Sequence, residues 1–167
     1  MNPVNSARTV NVGICGLGTV ASGTVNILTR NKSLIDARSG CNVSIVQIGA
    51  RRDNPKVDTT GYTLTRDIFD VVNNPAVDIV VELIGGTTVA KELVMKAIAN
   101  GKHIVTANKA LIAHHGQEIF AAAKAKGVTV AFEAAVAGGI PIIKSIREGL
   151  AANNIEWLAG IINGTTN

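Results

Sequence analysis

Apolar and polar residues alternate along the chain in short blocks that favour strands and helices in turn. Compact, mostly β-branched apolar runs predict strands at residues 10–15, 43–48, 79–84, 103–106 and 128–132. Longer stretches of mixed polarity predict helices at 19–31, 67–72, 89–100 and 108–126, with Gly116 as a candidate break in the last. Continuous apolar strands are typical of parallel sheets that are covered by helices. The pattern therefore predicts an α/β fold with a doubly wound, Rossmann-type parallel sheet.

The alternation changes after residue 132, and this change sets the predicted domain boundaries. Residues 1–8 lack apolar periodicity and are expected to be disordered, whereas residues 9–140 form the Rossmann domain. Residues 51–65 form a polar, turn-rich excursion within it. Residues 141–167 are expected to hold a linker helix at 142–150 and a strand at 155–162. We interpret this last segment as the start of a truncated second domain.

Composition narrows the function classes. The net charge is only +4 and the basic residues are scattered, which argues against a nucleic-acid surface. No apolar run approaches the roughly 18 residues of a membrane span, and the N-terminus lacks the apolar centre of a signal peptide. The two cysteines show no metal or redox spacing. We expect a cytoplasmic protein that binds neither membrane nor nucleic acid.

The strongest motif is a glycine turn directly after the first predicted strand. Gly16-x-Gly18-x-x-Ala21 fits the dinucleotide fingerprint in its Gly/Ala form. Gly16 permits the tight turn, Gly18 lets a pyrophosphate approach the backbone, and Ala21 allows close helix packing. The helix that begins near Thr19 would direct free N–H groups and its positive dipole end at the phosphates. The alternative is a tight turn without a ligand.

The end of the second strand bears on cofactor choice. An acidic residue there usually binds the ribose of NAD, but here two arginines, Arg51 and Arg52, precede Asp53. Arginine can hold a 2′-phosphate through two hydrogen bonds, so NADP(H) is preferred. Asp53 keeps NAD(H) possible, and the alternative is that both arginines lie in a solvated loop.

Two further loops end at the same edge of the predicted sheet. Thr87 could donate to the ribose or the nicotinamide amide, or it could cap a helix. Lys109 follows a buried strand and could contact the nicotinamide ribose, anchor a carboxylate or move protons. Exposed lysines are also common at helix starts. His103, His114 and His115 lack metal-ligand spacing and are interpreted as structural or surface residues.

Five segments in this order closely resemble the homoserine dehydrogenase family. They are GLGTV at 16–20, VELIGG at 81–86, TANKAL at 106–111, EAAVAGGIP at 133–141 and GIINGTTN at 160–167. The glycine turn is shared with many dehydrogenases, whereas the set of five is highly specific. Ala21 stands where that family often has glycine, which the fingerprint tolerates.

The resemblance implies an enzyme that reduces aspartate semialdehyde to homoserine with NADPH or NADH, on the route to threonine, methionine and isoleucine. It implies that Leu17, Thr19 and Val20 line the pyrophosphate turn, and that Thr87 and Lys109 contact the nicotinamide half. It further suggests sodium or a similar monovalent cation, held largely by main-chain oxygens of four residues: Glu133, Val136, Gly138 and Ile140. The full-length enzyme would be a homo-oligomer.

The same resemblance places the family's catalytic lysine, its partner aspartate and the substrate-binding glutamate after the motif at 163–165. We therefore expect no catalytic residue in this chain and an inactive cofactor-binding portion. Two other functions are alternatives to this one. A semialdehyde-type aldehyde dehydrogenase would need a nucleophilic cysteine, but none follows Cys41. A free-standing NAD(P)-sensing regulatory module would need no substrate residues and stays open.

Overall fold

A computed structural model describes residues 8–160 and has at its centre a six-stranded sheet. The strands are β1 (Thr9–Cys15), β2 (Asn42–Gly49), β3 (Thr63–Thr65), β4 (Ile79–Glu82), β5 (His103–Thr106) and β6 (Val130–Ala131). Their order is β3-β2-β1-β4-β5-β6, and every neighbouring pair is parallel. This order confirms the predicted doubly wound fold, with its topological switch point between β1 and β4.

Helices pack on both faces of the sheet. They are α1 (Thr19–Arg30), α2 (Lys32–Ser39), α3 (Ile68–Asn73), α4 (Thr88–Ala99) and α5 (Lys109–Lys126). A further short helix, α6 (Ile142–Lys144), contacts the turns on either side of it. A 3-10 turn covers Glu133–Ala135, and a π turn covers Ser145–Gly149. Consecutive strand residues pack into hydrophobic cores on opposite faces of the sheet. Ile14 packs with α1, whereas Cys15 packs with α3, α4 and α5. None of the helices in the described part is long and apolar enough to cross a membrane.

The α1 face of the sheet is only partly covered. On β5, Ile104 and Thr106 are buried, but the alternate residues His103 and Val105 are exposed. Val105 retains 36% of its accessible surface although it lies in the middle of a four-residue strand. Parallel strands are ordinarily buried on both faces. Within residues 8–160, this face of β5 therefore lacks the layer that covers it on the other side.

Several element boundaries differ from the predictions. The predicted loop before Gly40 is α2, which ends with Gly40 in the left-handed conformation. The polar excursion contains β3, a short strand that the apolar pattern does not reveal. α5 runs through Gly116 without a break. Gly116 is buried, and a Cβ atom there would lie 3.3 Å from the ring of Phe120. The predicted strand 128–132 shortens to β6.

The predicted strand at 155–162 is wrong for its described part. Residues 154–160 have no regular secondary structure and are exposed, and residues 161 and 162 lie outside the described residues. A strand needs a neighbour for its N–H and C=O groups, and no segment in residues 8–160 supplies one. The predicted helix 142–150 is present as α6 and the π turn. The division into domains stays a prediction. The N-terminal segment 1–8, expected to be disordered, lies outside the described residues except for residue 8.

Lys102 lies at the amino-terminal edge of the sheet, opposite to the carboxyl ends of the strands. Its side chain is 5% exposed. The Nζ atom donates to the carbonyl oxygens of Asn74 at 2.6 Å and Val77 at 2.7 Å. Burial lowers the pKa of this lysine, and the nearby Asp78 carboxylate partly offsets that effect. Lys102 thus joins the loops that precede β4 and β5.

Candidate functional site: a cleft at the carboxyl ends of the strands

Gly16 makes the turn from β1 into α1 in a conformation that favours glycine. Its φ is +104°, and its N–H donates to the carbonyl of Gly49 at 2.8 Å. A Cβ atom at this position would lie 2.6 Å from the carbonyl oxygen of Leu83. The turn is therefore wedged between the ends of β2 and β4, and glycine is required there by the fold itself.

Gly18 is glycine for a different reason. Its φ of −79° is open to any residue, and a Cβ atom there would meet no protein atom within 4 Å. Gly18 is the N-cap of α1, which has neither a side-chain cap nor an acidic residue in its first turn. The first N–H groups of an uncapped helix are an anion-binding arrangement. No contact within the described chain requires glycine at this position. A phosphate that approached the backbone here would require it, because a side chain would stand in its way.

The turn opens into a cavity of about 710 Å³ at the carboxyl ends of the strands. Six of the predicted cofactor residues line it: Gly16, Leu17, Gly18, Arg51, Arg52 and Thr87. Thr19 and Val20 are exposed in the first turn of α1, next to this lining. Lys109 is the exposed first residue of α5 and does not line the cavity. The structure therefore gathers the turn, the arginines and Thr87, and leaves Lys109 outside.

The charged side chains after β2, at one end of the cavity, differ in their pairing. Asp53 accepts two hydrogen bonds from one guanidinium nitrogen of Arg66, at 2.9 and 3.1 Å. Arg51 and Arg52 are exposed and form no ion pair within residues 8–160. The sequence did not reveal the ion pair of Arg66 with Asp53, which is the acidic residue that would bind the ribose of NAD. This end of the cavity therefore presents two arginines without an ion pair in the described residues and a carboxylate that is already paired.

The loops after β4 and β5 are joined by Asn108. Its Oδ1 caps α5 by accepting from the N–H of Leu111 at 3.1 Å. Its Nδ2 donates to the carbonyl of Gly86 at 2.6 Å. Thr87 is half-buried at the N-cap of α4, but its side chain makes no capping hydrogen bond. The helix-cap alternative for the Thr87 hydroxyl therefore does not hold.

Glu82 is a buried acid below these loops that the sequence analysis overlooked. It is 0% exposed at the end of β4. Its Oε1 accepts from the N–H of Ile84 at 2.9 Å, and its Oε2 accepts from the hydroxyl of Thr106 at 2.6 Å. Burial, and secondarily the charge of Glu82, raises the pKa of the Cys15 thiol to about 12. Cys15 is therefore an unreactive thiol. The sequence signal for Glu82 is that it is the one acidic residue in an otherwise apolar run.

The predicted cation loop forms a separate cluster of turns beyond β6. Both carboxylate oxygens of Glu133 accept backbone N–H groups, from Ile143 at 2.9 Å and Lys144 at 3.0 Å. Ala137 has a positive φ of +48°, which keeps this loop out of regular structure. The described residues contain no cluster of three or more His, Cys, Asp or Glu side chains that could hold a metal. Any ion here would depend on carbonyl oxygens.

The comparisons with known proteins agree with this geometry. The sequence profile of the homoserine dehydrogenase NAD-binding domain matches residues 16–133, which is most of the chain. The chain belongs to the homoserine dehydrogenase family. The matched residues hold the glycine turn, all lining residues of the cavity and Glu82.

Homoserine dehydrogenases of known sequence or structure are similar to this chain over part of their length. A homoserine dehydrogenase of Pseudomonas aeruginosa is 68% identical over 160 residues, which cover 96% of this chain and 37% of that protein. The crystal structure of a homoserine dehydrogenase from Thiobacillus denitrificans is 60% identical with a TM-score of 0.87, covering 94% of this chain and 37% of that one. A hyperthermophilic archaeal homoserine dehydrogenase in complex with NADPH is 24% identical with a TM-score of 0.70, covering 86% and 50%; this likeness shows the fold. The chain thus spans about 37% of the length of the first two homoserine dehydrogenases.

Proposed function

We propose that this chain binds NADP(H) along the carboxyl edge of the sheet, with the pyrophosphate on the Gly16–Gly18 turn. The observation that carries the proposal is Gly18, whose missing side chain leaves open space at an uncapped helix start rather than room for another protein atom. The cleft lies at the switch point between β1 and β4, where parallel sheets of this kind bind nucleotides. The archaeal neighbour of the same fold holds NADPH, which supports the phosphorylated cofactor.

We further propose that the chain supplies the cofactor site for reduction of aspartate semialdehyde to homoserine, with assembly into a homo-oligomer in the full-length enzyme. Membership of the family supports this reaction. When bound, the reduced nicotinamide supplies the hydride. The role of this chain is to hold the dinucleotide and orient its nicotinamide half, and we assign no catalytic residue to residues 8–160. The uncovered face of β5 is a surface on which further chain could pack.

The preference for NADP(H) follows from Arg51 and Arg52 together with the pairing of Asp53. Charge-assisted hydrogen bonds to a phosphate contribute about 1.5–3 kcal/mol, which corresponds to about 10- to 100-fold in affinity. We expect Arg52→Ala to raise the Kd for NADPH by about 10-fold or more and to leave that for NADH within about 3-fold. Titration followed by nicotinamide fluorescence measures both constants.

The matched control for this experiment is Arg38→Ala. Arg38 is an exposed arginine in the last turn of α2 and does not line the cavity. Its replacement removes one positive charge without touching the proposed phosphate site. An unchanged ratio of the two Kd values in Arg52→Ala would refute the role of this arginine in cofactor choice.

We also propose that the loop 133–140 binds sodium or a similar monovalent cation through carbonyl oxygens of Glu133, Val136, Gly138 and Ile140. Within the described residues, the carbonyls of Val136 and Gly138 accept no hydrogen bond, which leaves them available as ligands. Hard cations prefer such oxygen ligands. The ²³Na resonance of a sodium solution should broaden when the chain is added, because bound ions relax faster. Added potassium should compete for the site and reduce the broadening. An unbroadened resonance would contradict the site.

A further inference from the structure

Glu82 occupies a position where a carboxylate is costly. Burying an ionisable side chain destabilises the fold unless hydrogen bonds replace its hydration. Glu82 is fully buried at the end of an apolar strand, and its oxygens accept from the N–H of Ile84 at 2.9 Å, the N–H of Gly85 at 3.4 Å and the hydroxyl of Thr106 at 2.6 Å. These donors belong to two different segments at the edge of the cleft. The carboxylate therefore joins two loops rather than completing a strand.

A second path joins the same two loops through Asn108. The hydroxyl oxygen of Thr106 accepts from the N–H of Asn108 at 3.0 Å while its proton is donated to Glu82. The side-chain Nδ2 of Asn108 then donates to the carbonyl of Gly86 at 2.6 Å. Glu82, Thr106 and Asn108 thus form a closed network that begins and ends on the loop after β4.

Ile84, at the start of that loop, packs against the core, whereas the two glycines that follow it have no side chains to pack. Gly85 and Gly86 both have positive φ values, +74° and +71°, and a Cβ atom on either would meet no atom within 4 Å. No packed side chain restrains these two residues, so their position depends on backbone hydrogen bonds. Ile84, Gly85, Gly86 and Thr87 all line the cavity. They follow β4, in the half of a doubly wound sheet that binds the second mononucleotide.

We propose that Glu82 is a positioning residue for the nicotinamide half of the cofactor. Its carboxylate fixes the loop 84–87 directly, and through Thr106 it fixes the turn at Asn108 from which α5 begins. The adenosine half is held by other groups, the glycine turn and the arginines, which make no hydrogen bond to Glu82. This inference rests on the proposed function, because it assumes that a dinucleotide occupies the cleft.

The test compares NADPH with adenosine 2′,5′-bisphosphate, which carries the 2′-phosphate but lacks the nicotinamide half. In Glu82→Gln only one acceptor oxygen remains and the other is replaced by an NH₂ donor, so either the Thr106 hydroxyl or the N–H groups of the loop 84–87 lose their acceptor. We expect the Kd for NADPH to rise about 10-fold and that for the bisphosphate to change less than about 2-fold. Thr106→Val should reproduce this split, and Thr106→Ser, which keeps the hydroxyl, should restore the NADPH affinity.

Lys102→Met is the control for buried polar side chains in general, since Lys102 lies at the opposite edge of the sheet. It should lower the urea midpoint while both Kd values stay unchanged. If Glu82→Gln raises the two Kd values equally, or changes neither of them, Glu82 is not a positioning residue for the nicotinamide half. If Glu82→Gln fails to fold, the comparison of Thr106→Val with Thr106→Ser decides. Failure of the unmodified chain to bind NADPH would refute the proposed function and this inference together, whereas binding without the split refutes the inference alone.

Discussion

Gly18→Ala is expected to weaken NADPH binding by about 10- to 100-fold while lowering the free energy of unfolding by about 1 kcal/mol at most. A methyl group at this position meets no protein atom within 4 Å and sits on a φ of −79° that alanine adopts freely. In the complex the same methyl would occupy the space of the pyrophosphate, and overpacking of this kind costs about 1–3 kcal/mol. Loss of glycine from an N-cap costs about 1 kcal/mol of unfolding free energy at most. Fluorescence titration and urea denaturation measure the two quantities.

Gly23→Ala provides the matched control for this substitution. Gly23 is an exposed glycine of α1, and a Cβ atom there also meets nothing within 4 Å. Alanine in a helix interior stabilises by about 1 kcal/mol relative to glycine, and Gly23 does not line the cavity, so binding should be unchanged. If Gly18→Ala binds NADPH as tightly as Gly23→Ala does, the pyrophosphate does not lie on this turn.

The same substitution two residues earlier should give a different result. Gly16→Ala is expected to lower the free energy of unfolding by about 2–4 kcal/mol, and to weaken cofactor binding as a consequence. Alanine would be forced to a φ of +104°, with its Cβ 2.6 Å from the carbonyl oxygen of Leu83. Backbone strain and overpacking each cost about 1–3 kcal/mol. The urea midpoint reports the loss.

Gly127→Ala separates these two costs. Gly127 caps α5 with a φ of +71°, but a Cβ atom there meets nothing within 4 Å. Its replacement introduces strain without a steric clash and should cost only about 1 kcal/mol. Equal destabilisation by Gly16→Ala and Gly127→Ala would mean that the carbonyl of Leu83 does not constrain the turn.

The parts of the fold that were predictable from sequence are those with local causes. The passage from β1 through the glycine turn into α1 is specified by an apolar run followed by glycines, and it is confirmed. β3 was missed because Thr63–Thr65 is a strand only through its pairing with β2, and two of its three residues are exposed. The strand expected at 155–162 failed for the opposite reason. Its residues have suitable side chains, but the described chain offers no partner strand.

The site shows the same division. The glycine turn and the arginines were identified from spacing alone, and the cavity brings them together. The pairing of Arg66 with Asp53 spans 13 residues, and the bond between Glu82 and Thr106 spans 24. Neither pair has a sequence motif, because the sheet brings these residues together through strand order. An isolated acid in an apolar strand still indicates a buried network, and Glu82 could have been flagged on that basis.

We expect a bound dinucleotide to lie across the cleft from the Gly16–Gly18 turn to the loop 84–87. Amide chemical-shift mapping of the ¹⁵N-labelled chain during titration with NADPH tests it most directly. Saturable shifts are expected, and they should be largest at residues 16–20, 51–52 and 84–88. The absence of saturable shifts would contradict binding of the dinucleotide in this cleft. So would shifts confined to the groove of about 400 Å³ that is lined by Phe120, Val128 and Phe132.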